Sequence, residues 1–228
     1  MATGSQRAPA PPESEISKRR ERRRSSAGSR SDARWQEILS GAARAFTRLG
    51  YGQATLEDVA HEVGINRATL YYYVGTKEEL LVALLLGPID EMRQQIEQIA
   101  VGPGTAPDRL RGALRAYAES MVQTPELFIF LSENVHKVMS GSNAEQIRGN
   151  ADSYGRTMTT LIRQGVEAGD FRSDIEPLVA VLGILGMFNW IHRWYDPDGP
   201  QPLTYFTETF IEMALSGLNR EAARASAS

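Results

Sequence analysis

The chain has 228 residues, contains no cysteine, is 42% hydrophobic and carries a formal net charge of −3. This composition excludes disulfide frameworks and cysteine-based zinc sites, and it allows one or two small domains with a sizeable core. The charge is uneven, because residues 1–86 hold 13 Lys/Arg and 10 Asp/Glu while residues 87–228 hold 12 and 18. The sequence therefore predicts a basic module joined to an acidic one.

The N-terminal segment is predicted to be a disordered basic arm over residues 1–30. Met1–Ser17 is rich in Ala, Pro and Ser, and Lys18–Arg24 is a dense basic run. The arm either contacts phosphates or the minor groove of DNA, or it is a solvated tail with a non-specific effect. No secretory signal is visible, and the most apolar stretch, Leu178–Ile191, is shorter than the roughly 20 residues of a membrane span. We expect a soluble cytoplasmic protein that does not bind membranes.

The first two helices are predicted from apolar spacing and capping residues. An amphipathic helix begins at Ser31 or Asp32 and ends before Gly50. Thr55 begins a second helix, with Asp58 three residues on in the spacing of a capping box.

Two more helices follow in the N-terminal part. Gly64 ends the second helix, and Asn66 caps a third that runs through Tyr73. Thr76–Glu79 is a second capping-box pattern that begins a fourth helix, which Gly87-Pro88 is expected to kink or interrupt.

The remaining sequence predicts helices only, since no segment alternates with period two. The predicted ranges are Asp108–Val122, Pro125–Ser140, Asn143–Ala168, Ile175–Tyr195 and Thr204–Leu218. Ile175–Tyr195 is apolar nearly all round and is expected to be buried on several sides. The fold class is therefore all-α, with about nine helices. We expect the domains to be a basic arm at 1–30, a helix-turn-helix DNA-binding head at 31–77, a ligand-binding and dimerisation body at 78–222, and a disordered tail at 223–228.

The segment Leu56–Val74 has the pattern of a helix-turn-helix. Ala60 is small enough for two helices to cross, and Gly64 permits the turn. The N-terminal part of the third helix is then expected to enter the major groove, where Arg and Thr contact base edges and Tyr reaches phosphates. Thr55 and Lys77 stand at helix N-termini that favour a phosphate. The alternative for Tyr71 is burial in the core. The candidate DNA-binding residues are Thr55, Asn66, Arg67, Thr69, Tyr71, Tyr72, Tyr73 and Lys77.

Three stretches of the sequence together resemble the TetR/AcrR family of transcriptional regulators, namely Thr55–Ala60, Gly64–Val74 and Thr76–Leu80. Two residues depart from the usual family pattern, namely Tyr73 in place of His and Val74 in place of Phe. The resemblance implies a head of three helices, a fourth helix that links it to a larger body, and a homodimer formed by the last two helices. It also implies that the partner is double-stranded operator DNA.

A ligand pocket is predicted among the adaptable apolar side chains of the middle helices, although ordinary core packing is the alternative for each of them. The segment Asn189–Tyr195 is similar to family members that respond to acyl-CoA thioesters, and Arg193 is a candidate contact for an anionic group. The candidate pocket residues are Met121, Phe128, Leu131, His136, Tyr154, Met158, Met187, Trp190 and Arg193.

No enzyme is predicted, because the sequence has no Gly-rich phosphate loop, metal-ligand spacing or nucleophile motif. No cofactor and no metal site are expected. The prediction is a DNA-binding regulator, acting as a repressor that a small apolar or acyl-CoA-type effector releases from its operator. A regulator without a small-molecule effector, and a helical enzyme or scaffold, are the alternatives.

Overall fold

The computed structural model describes residues 29–124, 126–127, 141–196 and 198–219. These residues form eight α-helices, and the only β-type pairing among them is a single bridge between Phe171 and Asn219. The helices are α1 (Ser29–Leu49), α2 (Leu56–Val63), α3 (Arg67–Tyr73), α4 (Lys77–Ala100), α5 (Ala106–Gln123), α6 (Ser142–Ala168), α7 (Pro177–Asn189) and α8 (Leu203–Leu218). The all-α class is thereby confirmed. The helix expected at Pro125–Ser140 lies almost wholly outside the described residues.

The chain divides into two compact units. Among the described residues, the first comprises 29–84 and 141–145, and the second comprises 85–124, 126–127, 146–196 and 198–219. We call residues 29–84 the head and the second unit the body.

The head is built on the close packing of α1 against α2. A Cβ built on Gly41 would overlap Cγ2 of Val63, so only glycine allows the two helices to approach this closely. Phe46 and Tyr51 meet edge to face with ring centroids 5.2 Å apart. Ala60, the predicted small crossing residue, is buried. The apolar core of the head includes Ile38, Ala42, Phe46, Ala54, Val59, Ala60, Leu70 and Val74.

The body is held together by polar contacts as well as by its apolar core. Arg93 of α4 donates to Asp90 and Glu97 on the same helix. These two carboxylates also accept hydrogen bonds from α6, at 3.2 Å from Asn150 Nδ2 and 2.8 Å from Ser153 Oγ. The network ties α4 to α6.

A second set of ion pairs joins α5 to α8. Arg115 makes a two-pronged pair with Glu208, with both distances 2.8 Å. Arg111 forms an ion pair with Glu212. Arg111 lies one helical turn from Arg115 on α5, and Glu212 lies one helical turn from Glu208 on α8. The two pairs are one turn apart on both helices, so they match the register in which α5 packs against α8.

Gly87-Pro88 was expected to kink or interrupt the fourth helix, and the interruption is wrong. α4 runs without a break from Lys77 to Ala100 with Pro88 inside it. The side chains that flank this point are buried at Leu85, Ile89 and Met92. Their packing outweighs the roughly 3 kcal/mol that an interior proline costs.

The helix expected at Ile175–Tyr195 is shorter than predicted. α7 ends at Asn189, and Ile191–Arg193 forms a separate 3₁₀ turn. Its predicted burial on several sides is also wrong for the single chain. One face of α7 is exposed, and it carries Leu178, Val179 and Leu182. Along the described residues, no helix is long and apolar enough to cross a membrane.

Candidate DNA-binding interface

The predicted capping box of α2 is present at Thr55. Its Oγ1 accepts a hydrogen bond from the Asp58 backbone N at 3.2 Å, and Asp58 Oδ2 accepts from the Thr55 backbone N at 2.8 Å. The Thr55 hydroxyl also donates to Asp58 Oδ2 at 2.6 Å. These contacts, the hydroxyl first, lower the pKa of Asp58. The first turn of α2 is thus fixed by local contacts, with its backbone N–H groups at the helix N-terminus.

The turn between α2 and α3 depends on a left-handed residue. Gly64 has φ 69°, and Ile65 N donates back to Ala60 O at 3.0 Å. Asn66 then caps α3, because its Oδ1 accepts from Thr69 N at 2.8 Å. Leu70 is fully buried and anchors α3 in the core of the head. This is the helix-turn-helix arrangement that the sequence predicts.

The outer surface of α3 is polar and exposed. Asn66, Arg67 and Thr69 are exposed, and Tyr72 is 55% exposed. Tyr71 and Tyr73 are half-buried, so full burial of Tyr71 is wrong. The rings of Tyr72 and Tyr73 pack edge to face at 5.3 Å. The N-terminal half of α3 therefore presents donors and acceptors to the outside.

Arg67 is held in place by two side chains. It forms an ion pair with Glu57 of α2, and its Nη2 donates to the Tyr71 hydroxyl at 3.2 Å. The guanidinium carbon lies 5.2 Å from the Tyr71 ring centroid. The Tyr71 hydroxyl and then the Glu57 charge raise the pKa of Arg67. Glu57 was not among the predicted site residues, because its partner is ten positions away on another helix and no local pattern marks the pair.

Lys77 has a structural contact that the sequence did not predict. Its Nζ donates to three backbone carbonyls that follow α1, at 2.7 Å to Tyr51, 2.9 Å to Gly52 and 3.0 Å to Ala54. The ammonium also lies 4.7 Å from the Tyr51 ring centroid. At the start of α4, Thr76 Oγ1 accepts from Glu79 N at 3.2 Å, as the capping pattern predicts.

The predicted pocket residues fall into three groups. Met121, Tyr154 and Met158 are buried in the body, and Met187 is half-buried. Trp190 and Arg193 are exposed and contact each other, with the guanidinium 5.5 Å from the indole. Phe128, Leu131 and His136 lie outside the described residues. The predicted pocket residues of α5 and α6 are thus buried, whereas Trp190 and Arg193 lie at the surface.

A buried polar contact, missed at the sequence level, lies beside these pocket residues. Tyr117 of α5 is fully buried, and its hydroxyl donates to Asn189 Oδ1 at the end of α7. Its ring is 5.5 Å from that of Tyr154 and 6.0 Å from that of Phe188. Burial raises the pKa of both tyrosines, which therefore stay neutral at physiological pH. In the sequence, the only signal at Tyr117 is its position on the apolar stripe of α5, and such a stripe predicts packing in the core.

The chain matches known families along most of its length. Residues 38–84 match the model described as bacterial regulatory proteins of the tetR family, and residues 103–218 match a tetracyclin repressor-like C-terminal domain.

Individual relatives agree with these matches. The transcriptional repressor KstR2 of Mycobacterium tuberculosis is 25% identical over 191 residues, which cover 83% of this chain and 95% of that protein. The TetR-family regulator PfmR of Thermus thermophilus is 28% identical, with a TM-score of 0.70 over 80% of this chain and 99% of that chain. AibR in complex with isovaleryl coenzyme A and operator DNA is 25% identical, with a TM-score of 0.68 over 79% and 97%. With its helix-turn-helix head and helical body, the chain belongs to the TetR family of bacterial regulatory proteins, and it is a DNA-binding regulator of transcription.

Proposed function

We propose that this protein is a homodimeric repressor that places α3 in the major groove of its operator and is released either by an acyl-CoA thioester or by a small apolar effector. The observation that carries this proposal is the exposed polar surface of α3, held at a fixed angle by a capped helix-turn-helix. The proposed DNA-binding residues are those predicted from the sequence.

The contacts follow from the chemistry and placement of each side chain. Arg67 and Thr69, in the first turns of α3, read base edges, and the exposed Tyr72 reaches a phosphate. Thr55 and Lys77 act through the backbone N–H groups at the starts of α2 and α4, because their side chains already serve the fold. Asn66 likewise caps α3 and contributes through its position.

The dimer is proposed to form through α7 and α8. Leu178, Val179 and Leu182 are exposed on α7, and Tyr205 and Met213 are exposed on α8. Large apolar side chains exposed in such number suit an interface, and a second copy of the same surface buries them.

The effector is proposed to bind in the body near Met121, Tyr154 and Met158. These are buried side chains of adaptable shape, and the Tyr117–Asn189 contact supplies polar atoms beside them. The isovaleryl coenzyme A complex of AibR supports an acyl-CoA as the ligand class. Binding would change the spacing of the two heads through α4, whose residues belong to both compact units.

The remaining assignments belong to the same proposal. Residues 1–30 form a basic arm, 31–77 the DNA-binding head, 78–222 the body and 223–228 a tail. The protein acts in the cytoplasm, where its DNA is, and it has no catalytic activity.

The DNA-binding site is tested by substituting Arg67 and Tyr72 with alanine. We expect each variant to bind a duplex from the protein's own promoter region at least about tenfold more weakly, since each loses a base or phosphate contact in both subunits. The measurement is fluorescence anisotropy at fixed salt. Arg163→Ala, an exposed arginine in the body, is the matched control. Full binding by both alanine variants would contradict the site.

The effector class is tested with the same assay. We expect acyl-CoAs to lower operator affinity and to raise the melting temperature of the free protein, with free coenzyme A as the control. If acyl-CoAs of short, medium and long chain length all leave operator binding unchanged, this effector class is wrong, and a small apolar effector or regulation without a small molecule is left as the explanation.

A further inference from the structure

The ion pair between Glu57 and Arg67 places a carboxylate beside the main base-reading candidate of the head. Glu57 lies in the first turn of α2, and Arg67 is the first residue of α3. Both side chains are more than half exposed, at 57% and 63%. The Tyr71 hydroxyl accepts from the other terminal nitrogen of the guanidinium. The Glu57–Arg67 pair is therefore built from two helices, and it exposes the guanidinium donors of Arg67 beside the carboxylate acceptor of Glu57.

This ion pair is too exposed to contribute much to folding. Exposed pairs gain little because water solvates both charges. A carboxylate at a DNA-facing surface also repels phosphates, so it opposes the sequence-independent part of binding. We therefore expect the Glu57 carboxylate beside Arg67 to affect mainly which molecules this surface binds.

We propose that Glu57 determines specificity by holding Arg67 in a pair whose atoms match the major-groove edge of a G·C base pair. Guanine presents two acceptors there, O6 and N7, and cytosine presents the N4 amino donor. Arg67 has five N–H donors, so it keeps Glu57 and Tyr71 while it donates to guanine. The Glu57 carboxylate accepts from cytosine. This inference rests on the proposed function, because it requires α3 to read DNA.

Loss of the Glu57 charge releases Arg67 from this arrangement. The guanidinium then reaches a neighbouring phosphate as easily as a base. We expect Glu57→Gln to bind unrelated DNA more tightly and to discriminate less between base pairs. The salt dependence of binding becomes steeper by about two counterions per dimer, one for each subunit.

The experiment begins with selection of duplexes from a random library by the wild-type, Glu57→Gln and Glu37→Gln proteins. Glu37 is the matched control, because it is 58% exposed, pairs with Arg34 on α1 and carries the same charge. Each selected duplex is then tested with its G·C pairs changed singly to A·T. In the wild type and the control, one such change per half-site weakens binding about tenfold, and in Glu57→Gln the same change costs less than about threefold.

The outcomes separate this inference from the function on which it rests. If the wild type selects no duplex, the proposed function fails. If the wild type selects a duplex but Glu57→Gln behaves as Glu37→Gln does in base preference and salt slope, only the role of Glu57 is wrong. In an Arg67→Ala background, Glu57→Gln should change base preference clearly less than it does in the wild type, because only the Glu57–cytosine contact is left to lose. An undiminished effect there would contradict the paired mechanism. Equal melting temperatures of all variants confirm that the differences do not come from folding.

Discussion

On α3 of the head the large exposed side chains are polar, whereas on α7 of the body several are large and apolar. Arg67, Thr69 and Tyr72 face outward in the head, and Leu178 and Leu182 do so in the body. A polar surface suits a hydrated, charged partner, and an apolar surface suits another apolar surface. The two regions therefore fit different partners, DNA for the head and a second copy for the body, and the following substitutions distinguish them.

The largest effect is expected for Leu182→Glu on the exposed face of α7. A carboxylate buried without a partner in the dimer would weaken association by at least about 4 kcal/mol, because symmetry places two copies in one interface. Sedimentation equilibrium measures the loss, and DNA affinity falls with it. Thr160→Glu on the exposed surface of α6 is the control. A dimer that survives Leu182→Glu would show that α7 faces something else.

The next largest effect is expected inside the body. Phe188 is fully buried, and its ring meets those of Tyr117 and Phe210 edge to face. Phe188→Ala should lower the free energy of unfolding by about 4 kcal/mol, since it leaves a cavity among aromatic rings. Urea unfolding at one fixed protein concentration measures the change, and Phe188→Leu, which fills most of the space, should cost clearly less.

Lys77→Met separates folding from DNA binding in the head. The substitution leaves three carbonyls without their ammonium donor, and we expect a loss of about 2 kcal/mol in stability. Thermal unfolding measures it. Because the side chain is engaged with the fold, the salt dependence of DNA binding should stay as in the wild type, while Arg67→Ala makes it shallower. A shallower slope in Lys77→Met would mean that its ammonium contacts a phosphate.

The smallest effects are expected for substitutions in two capping boxes of the same pattern, one in the head and one in the body. Thr105 and Asp108 at the start of α5 repeat the contacts of Thr55 and Asp58, with the Thr hydroxyl 2.6 Å from the carboxylate in both. Thr55→Ala and Thr105→Ala should each cost about 1 kcal/mol of stability at neutral pH. Only Thr55→Ala should also weaken DNA binding, because the uncapped first turn of α2 no longer holds its backbone N–H groups in place for a phosphate. Equal DNA affinities of Thr55→Ala and the wild type would contradict a phosphate at the start of α2.

The pH dependence of the two caps follows from the pKa values of Asp58 and Asp108, which the Thr hydroxyls lower. A carboxyl whose pKa is lower in the folded state than in the unfolded state contributes its full stability at pH values above the unfolded-state pKa. That stability is lost as the pH falls through the folded-state pKa. The difference between each alanine variant and the wild type should therefore shrink as the pH falls below the usual carboxyl range. Thermal unfolding across this range measures it.

The head could be predicted from the sequence because its signals are local. Thr55 bonds to a residue three positions away, Asn66 does the same, and Gly64 lies where the chain must turn. The long-range contacts carry no such signal. Asn189 is 72 residues from Tyr117, and Lys77 reaches carbonyls more than 20 residues back. Pro88 misled the prediction, because a local rule for proline cannot weigh the buried neighbours that keep α4 continuous.

The aromatic rings of the body form an unbroken series of contacts with an optical consequence. From Tyr154 the series passes through Tyr117, Phe188 and Phe210 to Trp194, which packs against Phe206 at 5.1 Å. Of the three tryptophans in the chain, Trp35 lies in the head. Trp190 and Trp194 both lie in the body, so tryptophan emission from a Trp35→Phe variant reports on the body alone, and Trp194 links that emission to Tyr154 through this series of rings.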